Sequence, residues 1–196
     1  MNDPPEIVCQ TRFLRLVRQD GWEFVQRANA TGVVCIAALT DDGCVLLVEQ
    51  FRPPVAANVI ELPAGLAGDE PGASTEDLME AARRELLEET GYEAAQMKQV
   101  FAGVTSAGIT DELITFFVAR GLTKKGSGGG TGHEKITLHH VPLTQFDEWL
   151  VHKLHAGCMA DARLYTGIYL LRQLIPSGTS PQFPPQSSSQ SPSAAG

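Results

Sequence analysis

The chain has no cysteine pair at metal-binding or redox spacing. Its four cysteines (Cys9, Cys35, Cys44, Cys158) stand far apart, with no C-x-x-C, which argues against a disulfide framework and a zinc site. Cys35 and Cys44 fall inside apolar, strand-like runs and read as buried thiols. No apolar stretch approaches the roughly 20 residues of a membrane span. Residues 1–10 lack the charged and apolar regions of a signal peptide, so the expectation is a cytoplasmic protein with no membrane partner. Basic residues are scarce: 15 Lys and Arg face 23 Asp and Glu, for a formal net charge of −8. That balance argues against a nucleic-acid partner, because the phosphate backbone needs a basic surface. Neither G-x-G-x-x-G nor a Walker P-loop occurs, which disfavours a dinucleotide-binding fold and a P-loop NTPase.

What is present is a concentration of acid. In Arg84-Glu85-Leu86-Leu87-Glu88-Glu89-Thr90-Gly91-Tyr92, three carboxylates stand within five residues, just before a glycine. On a helix, Glu85, Glu88 and Glu89 occupy i, i+3 and i+4 and share a face. Their repulsion costs roughly 0.2–0.5 kcal/mol per pair in water, and a cation on that face reverses the sign. Oxygen ligands without sulfur or imidazole suit Mg²⁺, with Mn²⁺ as the alternative. Mg²⁺ held by a few carboxylates completes its shell with water and substrate phosphates. The expectation is a metal-dependent enzyme acting on a phosphate compound, which the net negative charge does not forbid, since the metal changes the local field. The plain alternative is a solvated helix face laced by the i, i+4 pairs Glu80–Arg84 and Arg84–Glu88.

Along the chain, strands are expected at 11–18 and 21–27 around an Asp20-Gly21 turn. A second hairpin is expected from 32–40 and 44–50 around Asp41-Asp42-Gly43. A short strand at 58–62 ends at Pro63-Ala64-Gly65, and 68–74 reads as a loop. Residues 75–90 read as an amphipathic helix capped by Ser74 or Thr75 and ended by Gly91. Strands follow at 96–104, 113–119 and 136–141, then helices at 145–155 and 161–174. The glycine-rich 124–132 reads as a mobile loop, and 176–196, rich in Pro, Ser and Gln, as a disordered tail.

The acidic helix resembles the Nudix hydrolases, whose signature is G-x5-E-x7-R-E-U-x-E-E-x-G-U. Glu76, Arg84, Glu85, Leu86, Glu88, Glu89, Gly91 and Tyr92 match it; the first glycine corresponds to Gly65, with five extra residues in 68–74. Gln50-Phe51-Arg52-Pro53-Pro54, Glu61-Leu62-Pro63-Ala64-Gly65, Ser106-Ala107-Gly108 and Asp161-Ala162-Arg163 are similar to the ADP-ribose pyrophosphatase branch. The resemblance implies an α+β, Nudix-type mixed β-sheet with packed helices (an α/β/α sandwich) and a small N-terminal β-hairpin dimerisation element. It divides the chain into 1–30 (dimerising), 31–175 (hydrolase) and 176–196 (tail).

It also implies roles. Glu85, Glu88, Glu89 and the carbonyl of Ala64 would ligate Mg²⁺. Arg84 would orient the glutamates, and Glu134, after the glycine loop, would be the general base, with His133 a weaker competitor. Trp22, Glu23, Arg27 and Arg52 would bind substrate, Trp22 by stacking on adenine across a homodimer interface. The competing readings are a surface charge for Glu134 and a core or interface side chain for Trp22. The implied reaction is hydrolysis of ADP-ribose to AMP and ribose 5-phosphate. The rivals are other nucleotide sugars or dinucleotides (GDP-mannose, NADH, FAD) and a non-catalytic ADP-ribose sensor.

Overall fold

A computed structural model describes residues 4–69, 75–131 and 135–174. The N-terminal segment forms an antiparallel meander of β1 (Glu6–Gln10), β2 (Leu14–Gln19) and β3 (Trp22–Arg27). Asp20 and Gly21 both take positive φ, 49° and 80°, the backbone of a two-residue type I′ turn. β1 lies outside the sequence expectation; all five of its residues are exposed, so no buried face gives it a readable alternation.

The remaining strands form two four-stranded sheets. One runs β7 (Ala64–Ala67), β4 (Gly32–Ala38), β9 (Leu113–Lys124), β8 (Tyr92–Val104). The other runs β10 (Thr137–Pro142), β5 (Cys44–Arg52), β6 (Ala57–Glu61), β11 (Met159–Ala160). β4–β9 and β6–β11 are parallel and the other pairs antiparallel, so both sheets are mixed. The expected hairpin of 32–40 with 44–50 is not a ladder. The Thr40–Cys44 turn closes (Thr40 N to Cys44 O 2.9 Å) and one bridge forms, Leu39 with Val45; then β4 and β5 diverge into different sheets. Each already has a partner on both edges, so neither has a free edge for the other.

Alternation along β4 sorts its side chains. Val33, Cys35 and Ala37 join a core with β5, β6, β9 and two C-terminal helices, α2 (Phe146–His155) and α3 (Ala162–Leu174). Val34, Ile36 and Ala38 join a second core against Ala81, Ala82 and Leu86 of α1 (Leu78–Thr90). The β4 sheet is thus covered by α1 on one face and by α3 with the second sheet on the other, an α+β sandwich. Asp77, not Ser74 or Thr75, caps α1: its carboxylate accepts from Met79 N at 2.8 Å. β7 lay in the expected Pro63-Ala64-Gly65 turn; Ala-Gly-Leu-Ala has little strand propensity, and pairing with β4 decides its state.

The described part of the glycine segment differs from the expected mobile loop. Residues 124–130 lie against the end of α1 and donate to its carbonyls. The expected tail at 176–196 falls outside the described residues.

Candidate active site

The acidic edge of α1 lies against β7. Glu89 is only 4 % exposed, and its Oε2 accepts from the backbone N–H of Ala64 at 3.1 Å. Glu85 presses on the next residue: an ideal Cβ on Gly65 would stand 1.9 Å from the Glu85 carboxylate carbon. A side chain at position 65 would displace the Glu85 carboxylate from this place. Gly91 ends the helix at φ 73° and receives the chain again, since a Cβ there would lie 2.2 Å from Gly126 O.

Arg84 ties the corner together. Its Nε and Nη2 reach the two oxygens of Glu76 at 3.0 and 3.2 Å, and Nη2 also donates to Leu66 O at 2.8 Å. Its Nη1 donates to Glu85 Oε1 at 2.9 Å and to Glu88 Oε2 at 3.4 Å. Glu76 Oε2 in turn accepts from Gly68 N at 3.1 Å. Arg84 therefore links β7, the start of the 68–74 segment and the glutamates through fork-like contacts that a lysine cannot make. The hydrogen bond from Arg84 is the main reason the Glu76 carboxyl titrates below the usual range, against the opposing effect of burial.

Glu85 behaves oppositely. Burial, with Glu88 and Asp69 adding to it, pushes its pKa up to about 7 in spite of Arg84. Oxygen donors crowded until one resists ionisation suit a hard divalent cation, and Glu85, Glu88 and Glu89 are the residues to hold it. The ligand shell is not preformed. Among the described residues no three of His, Cys, Asp or Glu stand ready around one point, because Arg84 and the Ala64 amide already engage these carboxylates.

A second charged cluster lines a cleft of about 990 Å³. Val48 of β5 pairs with Glu61 of β6, so strand alternation puts Glu61 on the same face as Gln50 and Arg52. Glu61, 4 % exposed, accepts from Arg52 Nη2 at 2.7 Å and from Gln50 Nε2 at 3.1 Å, and lies 3.5 Å from Arg163 Nη2. Asp161, at the start of α3, holds Arg163 through both oxygens. Burial opposes ionisation of Asp161, yet Arg163 outweighs it and the Asp161 carboxyl titrates below its usual range. The buried thiol of Cys35 feels both clusters. Burial pushes it up to about 12, and the charges of Arg163, Asp161, Glu89 and Glu61 all act on it.

The residues expected to bind substrate do not all meet in one chain. Arg27 and Arg52 line the cleft, but Arg27 Nε is bound to Glu112 at 2.5 Å. Trp22 stands 63 % exposed beside a separate hollow of about 340 Å³ with Phe24, Gly108 and Asp111. Glu23 pairs with Arg18 at 2.8 Å on the meander surface. Ala64 is on β7 beside Glu89. Glu134 and His133 lie outside the described residues. Sequence reasoning assigned no role to Glu61 or to Asp161 and Arg163. The available signal for Glu61 was a lone acid inside the apolar run Val59-Ile60-Glu61-Leu62.

The fold is a mixed-sheet sandwich that carries an R-E-x-x-E-E helix and, separately, a charged cleft. The chain belongs to the NUDIX domain family, whose model matches residues 28–161. It is 40% identical over 105 residues to a methanol dehydrogenase activator of Bacillus methanolicus, covering 54% of each chain. It is 39% identical over 94 residues to an ADP-ribose pyrophosphatase of Bacillus subtilis (strain 168), covering 47% of each. A GDP-mannose pyrophosphatase of Escherichia coli O9:H4 (strain HS) is 32% identical over 145 residues, 66% of this chain and 71% of that one. The chain spans about half the length of the first two relatives. A solved structure of an ADP compounds hydrolase superposes with a TM-score of 0.67 over 88% of this chain and 92% of the other; at 20% identity it shows a shared fold.

Proposed function

We propose that this chain is a divalent-cation-dependent pyrophosphohydrolase of nucleoside diphosphates linked to another group, with ADP-ribose, split to AMP and ribose 5-phosphate, as its preferred substrate. The observation that carries the reading is the approach of Glu89 and Glu85 to the β7 backbone at Ala64 and Gly65, with Glu88 joined to Glu85 through Arg84. Mg²⁺, with Mn²⁺ as substitute, would be held by these three carboxylates and the Ala64 carbonyl; when bound it neutralises diphosphate charge and polarises a P–O bond. Arg84 keeps the glutamates aligned and occupies them while no cation does. Glu134 would accept the proton of the attacking water. The cleft of Arg52, Glu61 and Arg163 would take the remainder of the substrate.

Trp22 and Glu23 would reach that cleft only from a second copy of the chain, so the reading includes a homodimer built on residues 1–30, with 31–175 as the hydrolase unit. No described helix is long and apolar enough to cross a membrane, and the reading places the enzyme in the cytoplasm. The B. subtilis relative supports ADP-ribose, while the E. coli relative keeps GDP-mannose as the second candidate.

The test is a substrate panel (ADP-ribose, GDP-mannose, NADH, FAD) with Mg²⁺ or EDTA, ranked by kcat/KM. ADP-ribose should lead, with AMP as product. Absence of AMP removes the substrate assignment, and binding of ADP-ribose without turnover would make the chain a sensor.

A further inference from the structure

The last turn of an α-helix leaves its carbonyls without intrahelical donors, and that negative end of the dipole disfavours nearby carboxylates. Glu88 and Glu89 stand in that turn, and α1 has no basic residue there. The chain answers both problems from outside the helix. Leu87 O accepts from Gly91 N at 2.8 Å, Glu88 O from Gly130 N at 3.1 Å and Glu89 O from Gly129 N at 2.9 Å. Thr90 O accepts from Lys124 Nζ at 2.7 Å, and Gly91 O from Lys125 N and Gly126 N at 2.8 and 3.1 Å. Five consecutive carbonyls are thus satisfied, four of them by residues 124–130.

The approach depends on glycine. A Cβ on Gly128 would stand 2.5 Å from the carbonyl carbon of Thr90 and 2.7 Å from Glu89 O. Gly128, Gly129 and Gly130 adopt φ of 68°, 108° and 81°, which L side chains rarely enter. The Lys124 ammonium supplies the positive charge the helix end lacks.

We propose that residues 124–130 are a positioning element for the α1 carboxylates: a backbone clamp that holds the turn carrying Glu88 and Glu89 and thereby sets their affinity for a divalent cation. The inference rests on α1 being the metal-bearing helix. A segment that merely stopped the helix would affect stability and leave cation affinity alone.

Mn²⁺ titrated into the EDTA-stripped full chain, followed by electron paramagnetic resonance, separates these roles. Gly128→Ala and Gly129→Ala should weaken Mn²⁺ binding roughly 10-fold or more, the scale on which outer-shell partners of metal ligands act. Amide exchange at residues 88–91 should quicken in both. Lys124→Gln should shift affinity the same way with no added atoms in the contact, and carries the test if the alanine variants fail to fold. Gly43→Ala is the control, because Gly43 has φ 82° but open space around its Cβ; it should lower stability and keep wild-type Mn²⁺ affinity. Wild-type affinity in folded Gly129→Ala and Lys124→Gln overturns the clamp. A wild-type chain that takes up no Mn²⁺ defeats instead the metal reading of α1.

Discussion

Replacing Glu85 by Gln tests whether this corner is built for a cation at the expense of the metal-free fold. The folded pKa of Glu85 is about 7 against 4.5 in an unfolded chain. A carboxyl with a raised folded pKa favours the fold fully only below the unfolded value, and that contribution is lost as pH rises through the folded one. At about 1.36 kcal/mol per unit, ionised Glu85 costs about 3 kcal/mol at pH 8 and about 1 kcal/mol at pH 5. Its side chain is 12% exposed, so solvent screening removes little of this. Gln keeps the shape and can still accept from Arg84. Urea unfolding in EDTA should therefore find Glu85→Gln more stable than wild type by about 3 kcal/mol at pH 8, narrowing to about 1 at pH 5. Mg²⁺ at about 1,000 times its Kd should then reverse the order, since it stabilises the wild type by about 4.1 kcal/mol. Equal pH dependence of the two proteins, or a less stable variant at pH 8 in EDTA, would refute the reasoning.

Glu76→Gln should act oppositely: its folded pKa is lowered, so its contribution is present above the unfolded value and lost as pH falls through the folded one. The variant should lose about 1–3 kcal/mol at pH 7, and its Tm should fall less steeply below pH 5. Glu61→Gln removes the buried carboxylate between Arg52 and Arg163 and should cost about 3–5 kcal/mol in denaturant unfolding. Trp22→Ala should raise KM for ADP-ribose roughly 5- to 150-fold with kcat largely kept, as expected when about 1–3 kcal/mol of base stacking is lost; an unchanged KM assigns Trp22 to packing alone.

Periodicity made much of the fold legible. The 3.6-residue stripe of Ala82 and Leu86 and the terminating Gly91 marked α1, and alternating or wholly apolar runs marked β2 to β6, β9 and β10. The sequence could not show which strands share a sheet. β4 and β5 read as a hairpin because both are buried on both faces, a pattern that states burial and leaves the partner open. β7 was invisible because Ala64–Ala67 is a strand only through β4, and the glycine segment misled because composition reports freedom, whereas the acceptors at the α1 terminus use it. The glutamates stood out because local spacing brings them together. Glu61 and Arg163 meet across about 100 residues of chain, a proximity that only the tertiary fold creates.

The central claim, that the α1 carboxylates grip a divalent cation beneath a diphosphate, is tested most directly by ADP-ribose hydrolysis against Mg²⁺ concentration in wild type and Glu88→Gln. The account predicts no turnover in EDTA, saturable activation by Mg²⁺, and a loss of roughly 10²-fold or more in a folded Glu88→Gln protein. Turnover indifferent to EDTA, or equal rates in the two proteins, would contradict it.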